Sequence, residues 1–381
     1  MKQTQLQPMR RARGFTLVEI LVVITIIGIL SAFLVPAITG AVTRARTTAM
    51  RLELDTIEQA VVEYEQVYGD YPPDFSDWNV IQRHYSKLFP RMSGDESQLL
   101  FNLFHSGTTF QAANLDRAEV LFWTLGGYSK DLQRPFTGPG GPLAWTGNGS
   151  DSYEAPTITS PEMTASEERQ SIANYQINAD RINRLFDFEN SQLSLQAVDP
   201  SMPVTGANRL LSSDDGDLFP TYAATSEGAP YVYFDSRTYN LFDTVVGDFN
   251  GYNGGTLGVV RPYLSTQFNA NTSGADYASE ANALAAWKFL NPDTFQVLAP
   301  GLDSSYGSNG NLSTGEPLYF QFPTGQGVAL FDDSGVNTPD ELLVSAITRY
   351  QESNTFPGVV DDFQQDNLAN FAKAAFIDEV P

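Results

Sequence analysis

Residues 11–37 read RARGFTLVEILVVITIIGILSAFLVPA, and the rest of the chain is read outward from this stretch. From Gly14 to Thr43 the only charged residue is Glu19. Phe15 to Ile38 is a run of 24 residues. As a helix it extends about 36 Å, enough to cross a hydrocarbon layer of about 30 Å. Ahead of it lies MKQTQLQPMRRARG, which carries Lys2, Arg10, Arg11 and Arg13 and no acid. That basic flank predicts a cytoplasmic N-terminus and an exported remainder. Arg44, Arg46 and Arg51 on the far side weaken the bias without reversing it.

Three readings of the stretch compete. A cleaved secretory signal has a short apolar segment followed by a small-residue cleavage site. Here the segment is long and runs unbroken into a second helical pattern. A plain membrane anchor accounts for the length, but it leaves Glu19 as a costly carboxylate within the apolar run. The third reading accounts for both. The chain is cut after Gly14, Phe15 becomes a new N-terminus with a positive amine, and Glu19 neutralises the amine of a neighbouring copy inside a bundle of apolar helices.

The same residues resemble the class III signal of type IV pilins and type II secretion pseudopilins. Gly14, Phe15, Glu19 and Pro36 all fall on that pattern, which covers about 25 consecutive residues. The resemblance implies cleavage between Gly14 and Phe15 by a prepilin peptidase and methylation of the Phe15 amine. It implies assembly through Phe15 and Glu19 into a homo- or heteropolymer with other pilin or pseudopilin subunits. It also implies an inner-membrane assembly platform as partner, contact with membrane lipid, and a single-pass protein whose head is periplasmic until the filament forms.

Helical spacing continues past the apolar run. Met50, Leu54, Ile57, Val61, Tyr64 and Tyr68 recur every three or four residues, with charged residues on the intervening faces. This is an amphipathic stripe suited to packing on a sheet. Gly69 and Tyr71-Pro72-Pro73 stop the helix. Pro36 and Gly40 are expected to kink or loosen it near the membrane boundary. In the body, 113–127 reads as a short helix capped by Asn114 and Gly126, with Trp123 in the core. Pro135 to Ser160 reads as loop and 161–188 as moderately helical. The stretches 230–234, 317–322 and 327–331 are short, aromatic and bounded by Gly, Pro or Asp, and so read as strands, the last two as a hairpin.

The expected fold class is therefore α+β and pilin-like: a long N-terminal helix, transmembrane in its first half, packed on a small antiparallel sheet with a large, partly helical insertion. The expected layout is a leader at 1–14, a transmembrane and polymerisation helix at 15–38 and an amphipathic continuation at 39–69. An inserted helical and loop region at 70–225 and a β-sheet head with the C-terminal region at 226–381 complete it. Two strings extend the resemblance to the major pseudopilin, Gly228-Ala-Pro-Tyr-Val-Tyr233 and the run from Asn291 to Asp303. A third, Asp361 to Phe371, resembles a C-terminal string of large-headed members. The inserted region has no counterpart in small major pseudopilins.

Composition removes several classes of function. The 381 residues include no Cys and two His, which excludes disulfide scaffolds, thiolate zinc sites and cysteine nucleophiles. The net charge of −23, with four of the 22 basic residues in the first 14 positions, disfavours nucleic acid as a partner. There is no nucleophile elbow, P-loop or H-E-x-x-H zinc motif, and His84 and His105 lack local metal partners, so both read as structural or exposed.

The one cofactor expectation is calcium, because major pseudopilins bind it in a C-terminal loop. The resemblance places that site at Asp303, Asp361, Asp362 and Asp366, which offer the oxygens that calcium takes. Solvated acids or helix caps are the plainer reading of the same residues. Asp214-Asp215-Gly216-Asp217 and Asp248 with Asn250 read as turns, and Thr338-Pro339-Asp340-Glu341 as a helix start. The function expected is a structural filament subunit without enzymatic turnover, a type II secretion pseudopilin in protein export. The alternatives are a minor or tip pilin with a binding head, and a membrane-anchored extracytoplasmic hydrolase.

Overall fold

The computed structural model describes residues 16–111, 115–146, 164–178, 181–197, 210–212, 218–225, 228–243, 248–249, 251–254, 257–269, 277, 279–307, 317–330, 338–351 and 364–381. The chain divides into two units, Met1–Thr48 and Ala49–Pro381. Helix α1, Leu17–Tyr68, is continuous over 52 residues and begins in the first unit and ends in the second. Pro36 and Gly40 lie inside it without interrupting it. In the first unit the described side chains are almost all exposed, from Leu17 at 81% through Phe33 at 77%. That all-round apolar surface marks a helix made for lipid or for other helices, with no core of its own to face. Its threonines satisfy themselves: Thr25 Oγ1 donates to the Leu21 carbonyl and Thr39 Oγ1 to that of Val35.

In the second unit the amphipathic stripe turns inward. Leu54, Ile57, Val61 and Tyr64 are fully buried, each such side chain contributing about 1.5–3 kcal/mol. Gly69 follows with a φ of +74°, which suits glycine. Two helical segments follow in the chain, α2 at Trp78–Leu88 and α3 at Gly94–Phe104, capped by Asp77 and Ser93. Helix α4, Val120–Leu125, is buried along its whole length. It is shorter than 113–127, and Asn114 lies outside the described residues. Trp123 is core, and its Nε1–H donates to Tyr85 Oη at 2.8 Å. The 161–188 region is less helical than its spacing predicts. Strand β1 at Leu143–Trp145 pairs with β2 at Tyr175–Ile177, and between them the described residues hold only the short helix α5, Ala165–Gln170, and a 3-10 turn at Ile172–Asn174. Tyr175 and Ile177 serve the strand pair, which overrides a weak helical period.

The main sheet is three-stranded and antiparallel. Strand β3, Val232–Asp235, lies at one edge, Phe295–Ala299 in the centre and Leu368–Ala369 at the other edge. Side chains alternate between two cores. Tyr231, Tyr233, Phe295, Val297, Ala299 and Leu368 pack with the stripe of α1 and with α2 to α4. Val232, Phe234, Leu298 and Ala369 face a second core built from Tyr263, Tyr306, Phe320, Tyr350 and Phe376. A period of two thus makes a sheet buried on both faces. Further along, β4 at Leu264–Phe268 pairs with β5 at Trp287–Phe289. The expected hairpin is present, Leu318–Phe320 against Gly327–Ala329, and Leu343–Val344 adds a third strand. The architecture is a long N-terminal helix with small antiparallel sheets, an α+β pilin-like fold. Thr338 and Glu341 form a capping box with Pro339 at the first position of a short 3-10 turn.

Candidate functional site

Two places carry the sequence-predicted site residues. The first is the start of α1. Gly14 and Phe15 lie outside the described residues, and Glu19 stands in the first turn. Thr16 N–H and Thr16 Oγ1 both donate to Glu19 Oε2 at 2.8 Å, and Glu19 N–H donates back to Thr16 Oγ1 at 3.2 Å. This reciprocal pair is a capping box, and a carboxylate at that position also suits the positive end of a helix. Within one chain, then, Glu19 already has two donors on one oxygen. The sequence reading assigned Glu19 to a neighbour's amine and passed over Thr16, although Thr16-x-x-Glu19 is the spacing that announces such a cap.

The second place is the C-terminal acidic region. Asp303 N–H donates to Asp366 Oδ2 at 3.3 Å, and Asp303 Oδ1 accepts from Ser305 N–H at 2.9 Å. A Cβ on Gly301 would fall 1.8 Å from the Asp366 carboxyl carbon, so glycine there is what admits the carboxylate against the backbone. The fold brings Asp303 and Asp366 together across 63 residues of sequence. Asp361 and Asp362 lie outside the described residues. Among the described residues no three His, Asp or Glu side chains are grouped to hold a metal ion.

The histidines serve packing. His84 is fully buried, its Nε2 lies 2.8 Å from Tyr64 Oη and its Nδ1 3.2 Å from Asp70 Oδ2. Burial holds its pKa below the usual histidine value despite the opposing pull of Asp70. His105 stacks on Phe101 with ring centroids 3.8 Å apart.

The most elaborate electrostatic cluster was not foreseen. Asp74, 1% exposed, accepts from Arg117 Nε at 2.9 Å, Thr238 Oγ1 at 2.7 Å and Ser76 Oγ at 2.6 Å. Burial opposes its charge, but Arg117 and the two hydroxyls outweigh burial and hold the carboxyl below its ordinary range. Asp235 is also buried, and desolvation pushes it up to about 6 against the pull of Arg237 at 2.6 Å. Arg237 in turn spans to Asp70 at 3.0 Å and to the Tyr71 carbonyl at 2.9 Å. The network ties the loop after α1 to the end of β3. No local motif announces it, because its members are up to 167 residues apart. Glu53 of α1 is held likewise, accepting from Tyr222 Oη at 2.5 Å and Tyr231 Oη at 2.6 Å.

The exposed, apolar first half of α1, which opens on a capped carboxylate after a basic segment of sequence, suggests membrane anchoring. One window within it has a mean hydropathy of 2.8, and the helix is long and apolar enough to cross a membrane. Residues 9–35 match the prokaryotic N-terminal methylation motif. The type IV major pilin protein PilE of Neisseria gonorrhoeae is 39% identical over 62 residues, 16% of this chain and 37% of that protein. The type IV wide pilus major component PilA4 of Thermus thermophilus is 42% identical over 60 residues, 16% of this chain and 43% of that protein. A fimbrial protein of Neisseria meningitidis is 38% identical over 60 residues, 16% of this chain and 35% of that protein. The chain spans about two fifths of the length of these relatives. No solved structure matches it. The chain carries a prepilin-type methylation motif and is homologous to type IV pilins through that motif and the segment beside it, which supports membership of the type IV pilin and pseudopilin family.

Proposed function

We propose that this chain is a subunit of a pilus-like filament, acting by assembly and not by turnover. A prepilin peptidase removes residues 1–14, the amine of Phe15 is methylated, and the exposed apolar helices pack together with Glu19 of one copy beside the Phe15 amine of another. The subunit waits in the inner membrane, N-terminus cytoplasmic and head periplasmic, and joins other pilin or pseudopilin subunits on an assembly platform. The observation that carries this reading is the methylation motif at 9–35 lying on a helix whose first half has no protein core to face. Apolar side chains exposed at that density require lipid or sister helices. Within this class we favour a type II secretion pseudopilin acting in protein export, on the pseudopilin-like string 228–233 that leads into β3. The second reading, a pilus subunit with a binding head, draws on the named relatives, which are pilus components.

The test is the mass of the native protein taken from membranes. The expected species begins at Phe15 and is 14 Da heavier than the bare cleaved chain, the mass of one methyl group in place of hydrogen. An intact leader, or a terminus at another residue, would overturn the proposal. Loss of an exported protein on deletion of the chain favours the secretion role, and loss of surface fibres favours the pilus role.

The proposal extends to a calcium ion held by Asp303 and Asp366, with Asp361 and Asp362 of the same C-terminal segment. Calcium takes oxygen ligands, and these acids would supply the oxygens and the charge for it. For the full-length protein in detergent, calcium is expected to raise the Tm and a chelator to lower it. Saturation 100-fold above Kd corresponds to about 2.7 kcal/mol. The calcium response should vanish in Asp303→Ala. A Tm indifferent to chelator removes the ion from the account.

A further inference from the structure

Between Asp77 and Asp95, the 17 residues 78–94 hold Arg83, Lys87 and Arg91 and no acid. They stand in a chain where 18 bases face 45 acids once residues 1–14 are set aside. Helix α2 buries Ile81, His84 and Tyr85 and so presents its bases to solvent. Arg83 and Lys87 lie one turn apart on that outer face, and Arg91 follows in the turn to α3. Lys87 Nζ donates to the Gly69 carbonyl at 2.7 Å, which ties α2 to the end of α1. Asp70 feels the charge of Lys87 but is itself paired with Arg237 at 3.0 Å.

A second segment extends this basic face. Ser93 N–H donates to the Gln133 carbonyl at 2.9 Å, and Phe89 packs on Tyr128 with centroids 5.3 Å apart. These contacts hold the turn of Lys130 and Leu132 beside the α2–α3 turn. Lys130 is exposed, and Leu132 is 54% exposed. The neighbouring Asp131 and Arg134 pair with each other at 2.7 Å and add no net charge. Arg83, Arg91 and Lys130 have no ion pair among the described residues.

Electrostatics narrows the occupant. Copies with this excess of acid repel wherever two acidic faces meet, so packing them side by side requires a face of opposite sign. Once apolar helices hold the copies together, screening over about 8 Å leaves only the facing patches to interact. A free polyanion such as nucleic acid has no such tether and must approach a molecule that is acidic overall. A basic patch on one copy meeting an acidic patch on the next is also a head-to-tail contact, which propagates along a filament instead of closing into a pair.

We propose that the basic face of α2, with Lys130 and Leu132 beside it, seats against carboxylates on the head of the next copy. The contact rests on the filament reading above and adds to it a surface in the head, separate from Glu19 and the apolar helix.

The test uses filaments of the full chain isolated from cells and treated with a carbodiimide, which joins a lysine amine to a carboxylate it touches with loss of water. Wild-type filaments should give a band of twice the subunit mass, with Lys87 or Lys130 in the linkage when its peptides are mapped. Lys87→Arg with Lys130→Arg keeps both charges and removes both amines, so it should assemble normally and lose that band at least about fivefold. Arg83→Glu with Arg91→Glu should keep the wild-type Tm while filament yield falls at least about tenfold, because attraction becomes repulsion. If the glutamate variant unfolds, the arginine variant decides. An unchanged band in the arginine variant, or full filament yield from a folded glutamate variant, would overturn the contact and leave the filament reading standing. Wild-type cells without filaments would overturn both. Duplex DNA bound by the detergent-solubilised protein more tightly than about 1 μM at physiological salt, and released by the glutamate variant, would assign the face to a polyanion and overturn the contact.

Discussion

Glu19→Gln is expected to insert in the membrane and lose its leader normally, yet to yield roughly tenfold less filament or worse, because removing one charge of a pair leaves its partner buried alone. The substitution is chosen on the geometry. Gln at the third helical position still completes a capping box with Thr16, so the cap that the structure shows is kept while the negative charge is removed. Glu19→Val removes both and should assemble no better. Filament yield, compared with membrane-inserted and cleaved subunit on the same blots, is the measurement. Wild-type filament from Glu19→Gln would mean that the carboxylate serves only its own helix, and the pairing between copies would fall with it.

Arg117→Ala is expected to destabilise the head by about 3–5 kcal/mol, the scale for breaking a buried ion pair by removing one partner. Asp74 would keep the Ser76 and Thr238 hydroxyls but lose its cation at 2.9 Å, with Asp235 N–H only 3.4 Å away and the Asp235 carboxylate nearby in the same cluster. Arg117 also lies over the Phe234 ring at 5.0 Å and donates to the Gly251 carbonyl, so packing is lost with charge. Denaturant unfolding of the full-length protein in detergent measures the effect. The double variant Asp74→Asn with Arg117→Met should recover part of the loss, since no uncompensated charge remains. A loss below about 1 kcal/mol, the scale of an exposed pair, would show that water reaches the cluster.

The sequence reading succeeded where chemistry is local. The apolar run of α1, its amphipathic continuation and the stop at Gly69 follow from periodicity and backbone freedom. The hairpin of Leu318–Phe320 with Gly327–Ala329 follows from aromatic strands around a turn. It overreached where a weak helical period stood alone: 161–188 holds a strand that pairs with Leu143–Trp145, and tertiary pairing prevailed over a marginal propensity. Thr16 was legible as a capping partner in the Thr-x-x-Glu spacing, but attention to the lone charge hid it.

The sequence by itself determined the long apolar helix, because hydropathy, helix length and one carboxylate are properties of consecutive residues. It determined the stripe on α1 for the same reason. Only the tertiary structure decided what that stripe meets and which acids become neighbours. Asp74 finds Arg117 and Thr238, Glu53 finds Tyr222 and Tyr231, and Asp303 finds Asp366, each across tens to hundreds of residues. Such pairings depend on where the main sheet places its edges, and strand pairing at long sequence separation leaves no periodic trace in the chain.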